Sequence, residues 1–200
     1  MLNGLYPSIL MITFFGLFFG FKFFKGYISL LRYFYWIIFG IYLTGLVVFT
    51  FFPFPYQNYL IQVMIEDNLG SENNLIPFNG VKEAIEVRYF STVIRQYALN
   101  ILLFIPLGFA PSILLSKIKK KQIILIGFLT SLTIEVVQVI AGFFIGYNYR
   151  SFDIDDLIMN SFGTIIGLLI FKILFKFLRN KQLLLEQKER PISHTPSIHQ

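Results

Sequence analysis

Polar side chains that could hold a headgroup or transfer a proton interrupt the apolar runs in the C-terminal half of this sequence. Seven of them carry carboxylate, amide or guanidinium groups: Asn100, Glu135, Gln138, Arg150, Asp153, Asp156 and Asn160. Such groups can exchange hydrogen bonds, bind an ionic ligand, or act as general acids and bases. Because each is costly in contact with acyl chains, we expect them to face one another inside a helical bundle.

Glu135 is the most costly of these residues, because it lies near the middle of the apolar run at residues 122–145. An acidic residue at the centre of a spanning helix costs roughly 3 kcal/mol on insertion scales, so it should be protonated or paired. Gln138 follows three residues later on the same helical face and can hydrogen-bond the same partner. The pair either joins helices together or lines a functional pocket, and the sequence leaves both interpretations open.

A second polar cluster opens the apolar run at residues 154–178. Asp153, Asp156, Asn160, Gly163 and Gly167 are spaced by three or four residues, which places them on one face of a helix. The two glycines belong to a small-xxx-small pattern, G-T-I-I-G, which allows another helix to approach closely. This face is therefore predicted to be buried against protein, with Gly163 and Gly167 as helix-packing residues.

Arg150 precedes this face and is close enough in sequence to reach its carboxylates. It either caps the helix end as an Arg–Asp pair or recognises a phosphate or carboxylate from outside. Asn100 opens the run at residues 96–116, in which Pro106 frees a backbone carbonyl. Three successive runs thus bring polar groups to one end of a bundle. We predict a ligand-binding pocket there, formed by all seven polar residues.

Five apolar runs must position these residues, at 5–24, 29–52, 96–116, 122–145 and 154–178. Each is long enough to cross the hydrocarbon core of a bilayer, which takes about 20 residues. The whole chain is 56% hydrophobic and 14% charged, a composition that favours lipid as the solvent. We predict an all-α membrane protein with a bundle of five transmembrane helices.

Lysine and arginine counts in the short loops predict the orientation. Basic residues crowd the ends of the first, third and fifth runs. The other loops are poorer in net positive charge: residues 53–95 have Lys82, Arg88 and Arg95 against five acidic residues, and the loop after the fourth run has only Arg150. This pattern predicts the N-terminus outside and the C-terminus in the cytoplasm. It divides the chain into two N-terminal helices (1–52), an extracellular segment with a short amphipathic helix (53–95), a core of three helices (96–178) and a disordered cytoplasmic tail (179–200). Asn79-Gly80 predicts a turn before the amphipathic helix.

Other residue types narrow the range of functions. The chain has no cysteine, and its two histidines, His194 and His199, lie in the tail, so no thiolate or histidine metal site is expected inside the bilayer. The net charge of +6 is concentrated at the ends of apolar runs, which argues against a groove for nucleic acid. We expect no cofactor, no metal and no nucleic-acid partner.

Four strings of the sequence carry a family resemblance: L-I-P-F at 75–78, N-I-L-L-F-I-P-L-G-F at 100–109, E-V-V-Q at 135–138 and R-S-F-D-I-D-D-L-I-M-N-S-F-G-T-I-I-G at 150–167. In order and spacing they resemble the VanZ-like family of bacterial envelope proteins, from about residue 74 to the end of the fifth run. The resemblance implies a multi-pass protein of the bacterial plasma membrane. It also implies that the seven polar residues are the family's characteristic ones. The founding member is associated with low-level resistance to teicoplanin.

Several functions fit these features. The favoured one is a non-enzymatic envelope factor whose outer-facing pocket binds a lipid headgroup or a lipid-linked cell-wall intermediate and so changes glycopeptide susceptibility. The alternative is a membrane-embedded enzyme acting on a lipid-linked substrate, with Asp153 or Asp156 as general base, or with a carboxylate pair that includes Glu135. Mg²⁺ on Asp153 and Asp156 would be compatible with it. The favoured hypothesis assigns no catalytic residues, because the sequence has no nucleophile motif. Proton relay through Glu135, and scaffolding of a membrane-protein partner, are further hypotheses.

Overall fold

The computed structural model describes residues 1–70, 72–87, 90–115 and 117–181, and apart from two isolated β-bridges the regular secondary structure in these ranges is helical. Its helices are α1 Leu5–Phe24, α2 Leu30–Phe51, α3 Asn58–Glu66, α4 Asn79–Val87, α5 Phe90–Leu114, α6 Lys120–Ile145 and α7 Ile154–Asn180. Five of them, α1, α2, α5, α6 and α7, are long and apolar enough to cross a membrane. The prediction of an all-α protein with five spanning helices is confirmed. The orientation and the division into segments stay predictions, and most of the predicted tail lies outside the described residues.

Local sequence sets where these helices begin and end. The Ser29 side chain caps α2 by accepting a hydrogen bond from the Arg32 backbone N–H at 3.3 Å. Gly146 ends α6 with φ +69°, a left-handed conformation that a glycine adopts without steric cost. α5 begins at Phe90, earlier than the apolar run predicted, because a helix can extend beyond its most apolar stretch.

The segment between α2 and α5 contains two helices, α3 and α4, where the sequence predicted one. The prediction of a turn at Asn79-Gly80 was wrong, because α4 begins at Asn79 and the turn lies at Pro77-Phe78. Phe78 has φ +61°, which is unusual for a bulky residue. Its backbone N–H donates a 2.7 Å hydrogen bond to Asp155 Oδ1, and this bond holds the turn against the start of α7.

The most extensive contact in the bundle is between α5 and α7. The α7 glycines lie directly against the α5 backbone: a Cβ atom added to Gly163 would be 2.2 Å from the Ile101 carbonyl oxygen, and one on Gly167 would be 2.0 Å from that of Ile105. Gly108 of α5 makes the reciprocal approach, because a Cβ atom added to it would be 2.0 Å from the Thr164 carbonyl oxygen. Any side chain at these positions would force the two helices apart.

Charged residues are sorted between the two ends of the bundle. One end holds the α2–α5 segment and the α6–α7 loop, which meet where Asn74 pairs with Asp153 through the backbone; we call it the arginine end, after Arg150. The other, the lysine end, holds the α1–α2 turn, the α5–α6 turn and the end of α7. There the Arg32 guanidinium donates to the Leu114 carbonyl oxygen at 3.1 Å. The described acidic residues belong to the arginine end, apart from Glu135 within α6.

Candidate functional site

A cleft of about 620 Å³ opens between α2, α5, α6 and α7. Its walls carry six of the seven polar residues predicted from the sequence: Asn100, Glu135, Gln138, Arg150, Asp156 and Asn160. The seventh, Asp153, lines an adjoining cavity of about 440 Å³ at the arginine end, which we call the vestibule. Gln138, Arg150 and Asp156 line both cavities. The structure therefore gathers all seven residues in one place, while their role in binding a ligand stays a prediction.

The rim of the cleft is apolar and faces outward from the bundle. Phe49 of α2 is 72% exposed, and Leu99 and Leu102 of α5 are 53% and 60% exposed. All three line the same cleft as the buried polar residues. Exposed apolar side chains on spanning helices contact acyl chains, so the cleft opens sideways toward lipid.

Glu135 is only 2% exposed and points into the bundle, as its cost in lipid requires. Its Oε2 atom accepts a hydrogen bond of 2.9 Å from the backbone N–H of Asp153. Gln138 does not share this partner: its Nε2 donates to the Thr50 carbonyl oxygen of α2 at 2.8 Å. The pair therefore links α6 to α2 and to the start of α7, and both side chains also line the cleft. That the cleft is functional stays a prediction.

Asp153 is the N-cap of α7. Its Oδ1 atom accepts hydrogen bonds from the Asp155 backbone N–H at 2.8 Å and from Asn74 Nδ2 at 2.9 Å. Two backbone hydrogen bonds strengthen the junction, from Asn74 N to the Phe152 oxygen at 2.8 Å and from Ile154 N to the Asn74 oxygen at 2.9 Å. The start of α7 is therefore capped by Asp153, and this cap does not use the Arg150 guanidinium.

Asp155 joins the loop before α4 to α7, and sequence reasoning did not select it. The side chain is 1% exposed and accepts hydrogen bonds from Phe78 N at 2.7 Å, Tyr97 Oη at 2.6 Å and Asn74 Nδ2 at 3.3 Å. Asp155 lies off the face that Asp153 and Asp156 share, so the three-and-four spacing passed it over. The signal available was a third acid in the first turn of a spanning helix, which needs partners of its own.

Asp156 and Asn160 extend the polar wall toward the middle of the bundle. An Asp156 oxygen accepts a short hydrogen bond from Asn100 Nδ2 and a longer one, of 3.3 Å, from Gln96 Nε2. Asn160 is 4% exposed and donates from Nδ2 to Ser131 Oγ at 2.9 Å. Its Oδ1 atom is buried and has no hydrogen-bond partner among the described residues, which leaves an unused acceptor in the cleft wall.

The two guanidinium groups of the cleft differ from its carboxylates in their hydrogen bonding. Arg95 lines the cleft together with Arg150, although the sequence suggested it only as a loop charge. Within the described part of the chain, neither guanidinium makes a hydrogen bond or an ion pair, whereas the carboxylates of Glu135 and Asp156 accept hydrogen bonds. Tyr149 lies in the vestibule wall, and burial raises the pKa of its hydroxyl, so it remains a neutral donor. The free donors of the site are thus suited to an anion.

A comparison with protein families identifies the chain. The model of the VanZ/LLP1 family matches residues 39–176, which include α5, α6 and nearly all of α7. The match begins within α2, earlier than the resemblance seen in the sequence, and so includes Phe49 and Thr50 of the cleft wall. Searches of curated proteins and of solved structures gave no match. Because the family model covers most of the chain and includes every residue that lines the cleft, this protein belongs to the VanZ/LLP1 family.

Proposed function

We propose that this protein is a non-enzymatic factor of the cell envelope whose cleft binds the anionic headgroup of a membrane lipid or of a lipid-linked cell-wall intermediate. The observation that carries the proposal is a polar chamber with a lipid-exposed apolar rim, formed by Phe49, Leu99 and Leu102. An amphiphile can place its headgroup in such a chamber while its chains remain in the bilayer. The arginine end would face outside, as the distribution of lysine and arginine predicts.

The preference for an anion follows from which groups in the cleft are already hydrogen-bonded. Glu135 accepts from the Asp153 backbone, and Asp156 accepts from Asn100 and Gln96. Both carboxylates thus already have hydrogen-bond donors from within the protein. Arg95 and Arg150 keep their donors free among the described residues, and a guanidinium binds phosphate through two parallel hydrogen bonds.

The size of the site suits a headgroup larger than a single phosphate. The cleft of about 620 Å³ adjoins the vestibule of about 440 Å³, and Arg150 lines both. Sites for small organic ligands usually have volumes of about 300–1,000 Å³. A phosphate bound at Arg150 would therefore leave room in the vestibule for a sugar or glycerol group attached to it.

Replacing Arg150 with alanine should weaken the binding of anionic lipid at the cleft by about tenfold, because it removes a charge-assisted pair of hydrogen bonds. Native mass spectrometry of the purified protein with phosphatidylglycerol counts the lipids bound per protein, so it resolves a loss at the cleft from lipid held elsewhere. Lys82→Ala is the matched control, since Lys82 is an exposed cation in α4 at the same end of the bundle and does not line the cleft. Equal retention by wild type, Arg150→Ala and Lys82→Ala would refute binding at Arg150.

The effect on glycopeptides can be tested in cells by deleting the gene and complementing the deletion. We expect wild type to change teicoplanin susceptibility and Arg150→Ala to behave as the empty vector. Glu135→Gln keeps an oxygen that can accept from the Asp153 N–H, so the variant should fold and report on the acidic charge alone. If wild type and the empty vector give the same susceptibility to teicoplanin and vancomycin, the link to antibiotics is refuted, whereas lipid binding is judged by mass spectrometry.

An enzyme acting on a lipid-linked substrate is the second candidate, and one observation favours it: Glu135 and Asp156 line the same cleft. Two carboxylates at one site can divide the roles of general acid and general base. Purified protein incubated with lipid-linked substrates and Mg²⁺ should then release a product that mass spectrometry detects and that Asp156→Asn abolishes. Absence of turnover under these conditions would count against this candidate and leave the binding proposal unchanged.

A further inference from the structure

A second groove lies at the lysine end, on the side of the bundle away from the headgroup site. It has a volume of about 370 Å³ and lies between the end of α5, the start of α6 and the C-terminal part of α7. Its apolar surface includes Ile123, Leu168, Phe171 and Phe175, while Lys120 and Lys172 supply its two cations. The groove is therefore amphiphilic, with a charge opposite to that of a phosphate.

Lys172 is the informative residue, because it lies within a spanning helix. It precedes the end of α7 at Asn180 by two turns, which is about 12 Å along the helix axis. An ammonium group at that depth must extend to the interface or meet an anion. Lys176 lies one turn further on, and like charges at this spacing repel each other.

The counter-charge for these lysines does not come from the described part of the chain. The acidic residues described there are at the arginine end, except Glu135, whose carboxylate is bonded to the Asp153 backbone. No described carboxylate therefore neutralises Lys120 or Lys172. An anionic ligand placed between these two lysines would offset their positive charges.

We propose that this groove binds an anionic phospholipid from the adjacent leaflet. Its phosphate lies between Lys120 and Lys172, and one acyl chain lies along Phe171 and Phe175. A membrane lipid fits better than free phosphate, because most of the lining is apolar and Phe175 is 40% exposed at the side of the bundle. The groove shares no lining residue with the cleft, so this inference does not depend on the proposed function.

A charge-matched pair of double variants tests the groove. Lys120→Gln with Lys172→Gln removes both groove cations, whereas Lys121→Gln with Lys181→Gln removes two exposed lysines from the same end that do not line it. Every protein in this comparison also carries Arg150→Ala, so that the cleft does not contribute. In nanodiscs of phosphatidylglycerol and phosphatidylcholine, we expect the first double variant to retain about tenfold less phosphatidylglycerol and the second to match the Arg150→Ala parent. Excess inorganic phosphate should not displace the bound lipid.

Three results would overturn the proposal. An equal loss in both double variants would show that lysines anywhere at this end attract anionic lipid, and an unchanged level in both would show that no such lipid is held. Displacement by inorganic phosphate would assign the site to a soluble anion instead. Lys120→Arg with Lys172→Arg keeps the charge and should retain the lipid, which separates binding from folding. Arg150→Ala should leave retention at this groove unchanged.

Discussion

Asp155→Ala should destabilise the protein by about 3 kcal/mol, the largest loss we expect from removing a single polar side chain of the bundle. The change leaves Phe78 N, Tyr97 Oη and Asn74 Nδ2 without the acceptor that holds them. Each buried donor left unsatisfied costs about 1–3 kcal/mol, and the relief of a buried carboxylate offsets part of the total. Thermal unfolding in detergent should show a clearly lower Tm, and hydrogen exchange should show faster exchange at Phe78.

Two variants define what the Asp155 experiment measures. Asp155→Asn keeps an oxygen for the Phe78 N–H, and the Tyr97 hydroxyl can turn to accept from the new amide, so we expect about one third of the loss. Asp67→Ala removes an exposed acid from the end of α3 at the same end of the bundle and should be nearly neutral. An unchanged Tm for Asp155→Ala would show that these hydrogen bonds do not stabilise the fold.

Gly167→Ala should be nearly as damaging, although it adds a single methyl group. The new Cβ atom would lie 2.0 Å from the Ile105 carbonyl oxygen, far inside contact distance. This oxygen belongs to the backbone of α5, so it cannot rotate away as a side chain could. Overpacking of this kind typically costs about 1–3 kcal/mol, and the rigidity of both helices favours the upper part of that range. Thermal unfolding in detergent measures the loss, and lower membrane expression should accompany it.

Gly45→Ala is the matched control for the glycine experiment. Gly45 lies within the spanning helix α2, and a Cβ atom added there would meet nothing within 4 Å. Alanine has the higher helix propensity, so this variant should be neutral or slightly more stable. Equal stability of Gly167→Ala and Gly45→Ala would show that the backbones of α5 and α7 do not lie in direct contact.

The spanning helices and the grouping of their polar residues were predictable, because a lipid environment strongly restricts which residues a spanning helix can expose. A run of about 20 apolar residues has few alternatives to a spanning helix. The three-and-four spacing of Asp156, Asn160, Gly163 and Gly167 fixed one buried face of α7, and the structure places that face against α5 and the cleft. The seven residues could be grouped because each was costly anywhere else.

The connections between helices could not be predicted in the same way. Asp155 binds a loop that is distant in sequence, and neither the loop conformation nor the left-handed Phe78 has a periodic pattern that predicts it. Gln138 was expected beside the partner of Glu135, but it bonds the α2 backbone at Thr50, since a backbone carbonyl has no sequence signature. Arg95 was treated as a loop charge because its helix begins earlier than the apolar run.

The hydrogen bonds around Asn74 and the glycine contacts of α7 have a joint consequence for the cleft. They tie α5 and α7 together at the start of α7 and again along its length. α2 is attached to this pair by the Tyr42 hydroxyl, which donates to the Leu103 carbonyl oxygen of α5 at 2.9 Å, and to α6 by the bond from Gln138 to Thr50. Among the described residues, α2 contributes Phe49 and Thr50 to the cleft lining, whereas the other helices contribute the buried polar groups. Under the proposed function, substitutions at Phe49 and Thr50 would therefore change the size of the headgroup that fits without rebuilding α5 and α7.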